Sequence, residues 1–179
     1  MRTLTLAGFV IALGATAGAI ADTPAVPRTA IRAAELSLDE RLQRAFPDNP
    51  SALVGTARGV YIDGFGAVFT AEMEPVTDGT SLMNSTLRPD QKVEVLKKKV
   101  NRIPDLRKAM ENALVETAAS LDAIPLDEQV VLEVIIDRFY WEDGKGYPAE
   151  LMVQAPRRKL LDIKHANGAG LEAIRVTQR

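Results

Sequence analysis

The chain has 179 residues, 46% hydrophobic and 26% charged, with a formal net charge of −2. That composition suits one folded domain, and the near-balance of charge excludes the basic footprint of a nucleic-acid binder. The absence of cysteine excludes disulfides, thiolate nucleophiles and cysteine-ligated metal centres, and a lone histidine excludes a His-rich zinc site.

The first 21 residues read as an export signal. Met1-Arg2-Thr3 is a short basic start, Leu4 to Ala17 is apolar and uncharged, and Ala19-Ile20-Ala21 is a small-x-small site ahead of Asp22 and Pro24. Cleavage after Ala21 is expected, which removes one arginine and leaves a net charge of −3. The competing expectation is a retained anchor, since Leu4 to Ala21 is at the lower limit for crossing a bilayer. After cleavage no further segment is long and apolar enough to span, so a periplasmic or secreted location is expected.

Residues 22–56 read as a linker and a helical arm, and 57–179 as a single α+β domain. Ile31, Leu38, Leu42 and Phe46 can share one side of a helix over 29–46, and Ser37-x-x-Glu40 has the spacing of a capping box. The helix is either whole or begins at Leu38, and Pro47 and Pro50 end it.

Asp63-Gly64-Phe65-Gly66 between two β-rich runs predicts a hairpin over 58–73. With a loop of two or four residues, Val60, Ile62, Ala67, Phe69, Ala71 and Met73 would face the core. Residues 74–87 read as a polar loop, and Pro89 suits a first helical position. Val93, Leu96, Val100, Ile103, Met110, Leu114 and Leu121 then predict a long amphipathic helix, kinked or divided at Pro104.

Gln129 to Tyr140 predicts a central strand, with Val130, Leu132, Val134 and Ile136 on its apolar face. A turn at 143–146 predicts a returning strand from Tyr147 to Ala155, left as a sheet edge that could pair with another chain. A short helix over 157–166 stops at Asn167-Gly168, and a last strand can follow from Leu171 to Thr177. The expected fold is an antiparallel sheet of four to five strands with one long kinked helix on one face. The order of elements is similar to that of profilin-like and roadblock-like domains, an analogy of fold that carries no function.

No catalytic or cofactor motif is present. His165 lies near a helix end, where an imidazole can meet free carbonyls. The lysines and arginines of 92–108 read as a solvated helix face. Phe139-Tyr140-Trp141-Glu142-Asp143 gathers three of nine aromatics beside acids and a glycine turn, a composition suited to binding. The expected contact surface is Tyr140, Trp141, Glu142, Asp143 and Tyr147, with Thr77 to Thr86 as second choice. The reading is a non-catalytic binding domain in a bacterial envelope, taking an envelope partner or a small ligand, with no cofactor and no metal. The alternative is a carboxylate-dependent periplasmic hydrolase using two of Glu72, Glu133, Asp137 and Glu150, which would have to meet across strands.

Overall fold

The computed structural model describes residues 26–46, 52–76 and 87–179. The export signal expected over residues 1–21, the prolines at 47 and 50 and the loop expected over 77–86 lie outside the described residues. Among the described residues three helices cover one face of a six-stranded mixed sheet. The elements in chain order are α1 (Arg28–Gln43), β1 (Ala52–Leu53), β2 (Arg58–Ile62), β3 (Gly66–Glu74), α2 (Pro89–Ser120), β4 (Gln129–Ile136), β5 (Glu150–Pro156), α3 (Arg157–His165) and β6 (Arg175–Gln178), with one 3₁₀ turn at Leu171–Ala173. Among the described residues no helix is long and apolar enough to cross a membrane.

The sheet order is β1-β3-β4-β5-β6, with β2 on the same edge of β3 as β1. It is not the antiparallel sheet expected, because β3 and β4 run parallel. The cause is α2. Its 32 residues span about 48 Å, enough to carry the chain from the end of β3 back to its start. β5 is internal, since β6 pairs along its other side, so it is not the expected free edge.

The hairpin is real, but its loop has three residues. Ile62 pairs with Gly66, and the Phe65 N–H donates to the Ile62 carbonyl. An odd loop reverses the side-chain parity expected from an even one. Val60 and Ile62 therefore leave the core face and stand 51% and 48% exposed, while Ala67, Phe69, Ala71 and Met73 keep it. Gly59 takes the core-facing place instead. A Cβ there would lie 2.5 Å from the Phe69 ring and 2.9 Å from Ile31, so only glycine lets α1 close over this strand.

α1 is continuous and buries Ile31, Leu38 and Leu42 in the same core as the sheet. Ser37 and Glu40 lie within its span, so they form no cap; the Ser37 hydroxyl accepts from Arg41. Glu35 is the polar tie between α1 and β2. Its buried carboxylate accepts from the Gly59 N–H at 2.9 Å and from Arg28 and Arg32 at 2.8 Å each. Burial pushes its pKa up, but these three donors outweigh burial and hold it below the ordinary carboxylate range. Its contribution to stability is thus present above that range and lost as pH falls through the lowered value. Glu35→Ala strands the Gly59 N–H and is expected to cost about 1–3 kcal/mol in urea denaturation. An unchanged midpoint would remove the tie.

α2 starts at Pro89, with Gln91 accepting from the Arg88 N–H, and runs unbroken through Pro104. At its far end Arg157, the first residue of α3, is buried and donates to the carbonyls of Ala118 and Ile124. The Ala118 carbonyl is in the last turn of α2 and the Ile124 carbonyl in the loop that follows, and one guanidinium from α3 ties the two together. α3 stops as expected: Asn167 takes a φ of 52° and Gly168 follows at 86°. Their N–H groups donate back to Lys164 and Ile163.

Candidate functional site

The stripe expected on α2 holds only in its second half. In its first half Val93 is 61% exposed, and the buried positions are Val95, Lys99, Arg102 and Ile103. Lys99 therefore stands on the apolar stripe, four residues after Val95 and four before Ile103, and its side chain has no exposed surface. The solvated basic face expected for 92–108 is wrong at this residue and at Arg102, which is also buried.

Lys99 is held from both sides. Its ammonium lies 3.1 Å from the Glu74 carboxylate at the end of β3 and 2.8 Å from the Glu142 carboxylate. It also donates to the Asp137 carbonyl at 3.1 Å and sits 4.4 Å from the centroid of the Phe139 ring. The second Glu142 oxygen accepts from the Tyr147 hydroxyl. Burial, and then the neighbouring Glu142 carboxylate, push the Tyr147 phenol far above its ordinary value. Burial likewise raises Glu74, against the pull of the Lys99 charge. Arg102 donates to the Pro75 carbonyl and lies 4.9 Å from the Phe46 ring. Two carboxylates and one ammonium in a dry site need that geometry, because unpaired charge there is costly.

This cluster fixes the loop of residues 137–149 along α2. Phe139 and Trp141 stack at 5.5 Å, and Lys92 sits 5.4 Å from the Trp141 ring. Lys92 and Lys99 are two helical turns apart, so each holds one of the two stacked rings. The five residues expected to form a contact surface are thereby divided. Glu142 and Tyr147 turn their side chains inward and position the loop. Tyr140 is 82% exposed, Asp143 is exposed and Trp141 is half-buried.

Beyond the loop's inner anchor lies a groove of ≈ 630 Å³ between α2, the loop and the β6 end of the sheet. Val100, Ile103 and Pro104 of α2 form one wall, and Gly146, Pro148 and Leu171 stand opposite. Arg107, Lys108 and Glu111 continue the α2 wall, and Gln178 closes one side. Pro104 has no N–H, so the Val100 carbonyl lacks its helical donor. Gly146 has a φ of 95°, and the nearest atom to a Cβ there is Val100 Cγ2 at 3.7 Å. The size falls within the roughly 300–1,000 Å³ common to small-molecule sites.

The carboxylates considered for hydrolysis are placed differently. Glu72, Glu133 and Glu150 alternate onto the sheet face opposite the core, which no helix covers among the described residues. The dent lined by Glu133, Glu150, Met152, Thr177 and Arg179 has no room for a water molecule. Asp137 lies beyond β4, where its carboxylate accepts from the Arg138 N–H. Glu133 and Glu150 therefore share one dent, while Glu72 and Asp137 are not among its lining residues. His165 is exposed in the last turn of α3, and no group of three or more acids or histidines among the described residues could hold a metal. No protein family, no curated protein and no solved structure matches the chain.

Proposed function

We propose that this chain is an exported bacterial protein, cleaved after Ala21, that acts in the envelope as a non-catalytic binding domain. The observation that carries the binding part is the α2 groove. It is concave, mostly apolar along one turn of helix and charged along the next, and its opposite wall is a loop pinned by buried ion pairs. A pre-formed apolar cleft with a few polar groups at one end is the usual shape of a ligand site. Tyr140 and Trp141, on the outer side of the same loop, are the candidate contacts for a larger partner. The export part rests on the layout of residues 1–21.

The test is a native mass spectrum of the protein expressed with its own N-terminus and purified from the periplasm. The expected result is a chain beginning at Asp22 that retains a small-molecule adduct, with the adduct lost in Val100→Trp, which fills the groove. A mass beginning at Met1 overturns the cleavage. A bare chain that stays bare after incubation with an envelope extract overturns the groove as a ligand site.

A further inference from the structure

The groove has a polarity that specifies its ligand. Along α2 its wall is apolar at Val100, Ile103 and Pro104, then cationic at Arg107 and Lys108. From Val100 to Lys108 is eight residues, about 12 Å of helix, and from Pro104 to Lys108 about 6 Å. The opposite wall repeats the apolar character with Pro148 and Leu171.

The charges at the cationic end do not cancel. Glu111 is paired with Arg107 at 2.9 Å through one guanidinium nitrogen, and the other N–H groups of that planar fork have no acceptor among the described residues. Lys108, beside it, is exposed and has no ion-pair partner among the described residues. One fork and one free ammonium against a single carboxylate leave a net positive end that a small anionic group would complete.

We infer, on the reading that this groove is the ligand site, that it takes an anionic amphiphile. The ligand would carry one carboxylate or phosphate at Arg107 and Lys108, and an apolar segment reaching roughly 6–12 Å from Lys108, past Pro104 to Val100. The shared chemistry is an acidic head on a short aliphatic chain, whether free fatty acid or the phosphate end of a single-chain lipid. The absent side chain at Gly146 keeps the apolar end open beside Val100.

The test is isothermal titration of the purified protein with decanoate, decyl phosphate, decanol and decyltrimethylammonium, each below its self-association concentration. Decanoate or decyl phosphate should bind at least ten-fold more tightly than decanol, and the cation should be weakest. The tighter of the two acids names the source. Lys108→Gln should weaken acid binding about ten-fold and leave decanol unchanged, since it removes a charge at the rim and no packing. Val100→Arg should abolish binding of all four, with the circular dichroism spectrum reporting that the variant folds. Equal affinity for decanol and the acids, with loss in Val100→Arg, overturns the anionic class and leaves the groove as a binding site. No binding by any of the four, together with no amide shifts at Val100 to Glu111 in the presence of decanoate, overturns both.

Discussion

Lys99→Met is expected to destabilise the protein by about 3–5 kcal/mol, the usual cost of removing one partner from a buried ion pair. The size follows from what is left behind. Glu74 and Glu142 would face each other without a cation in a site where neither side chain is solvated. The pH dependence is distinctive. Burial already raises the Glu74 pKa, and the Lys99 charge is the largest influence opposing it. A carboxyl raised in the folded state favours folding below the ordinary carboxylate range, and that contribution is lost as pH rises through the raised value. Without Lys99 the value rises further. The deficit of Lys99→Met should therefore be greatest near neutrality and shrink on acidification toward pH 4. Urea denaturation at a series of pH values measures this. The triple change Lys99→Met, Glu74→Gln and Glu142→Gln should recover most of the loss, because no buried charge remains. A single variant as stable as the parent at pH 7 would mean that the cluster does not hold the loop.

Gly66→Ala is the second large effect. Gly66 has a φ of 129°, and a Cβ there would lie 1.9 Å from the Gln129 carbonyl oxygen. That oxygen belongs to the first residue of β4, whose N–H donates to the Phe65 carbonyl at the hairpin tip. The close approach is what starts the parallel pairing of β3 with β4. Alanine would add backbone strain and force the two strands apart, at a cost of at least about 3 kcal/mol. Gly64 supplies the comparison. Its φ is 72° and nothing lies within 4 Å of a Cβ, so Gly64→Ala should cost only the left-handed backbone penalty of about 1–2 kcal/mol. Thermal or urea unfolding of the two variants separates them. Equal losses would show that strain alone, and not the strand contact, fixes glycine at position 66.

Much of this molecule is written locally. The hairpin at Asp63-Gly64, the helix start at Pro89, the apolar face of β4 and the stop at Asn167-Gly168 each depend on residues within one turn of themselves, and each stands where the sequence puts it. Absence of cysteine and scarcity of histidine are likewise sequence facts, and they bound the chemistry whatever the fold. Strand direction is different. Whether β4 lies parallel or antiparallel to β3 depends on where a helix of 32 residues returns the chain, which no local pattern specifies. Parity is equally delicate: one residue in the hairpin loop moves Val60 and Ile62 from core to open face. The burial of Lys99 left a trace in its spacing from Val95 and Ile103, but a lysine in a basic run reads as solvated until its acceptors are known. Those acceptors, Glu74 and Glu142, are 25 residues before it and 43 after it. The groove has no sequence signature at all, because its walls come from α2, the loop after β4, the 3₁₀ turn and β6. Local propensity chose the elements; the partners of buried charge and the shape of the cleft exist only once distant segments pack together.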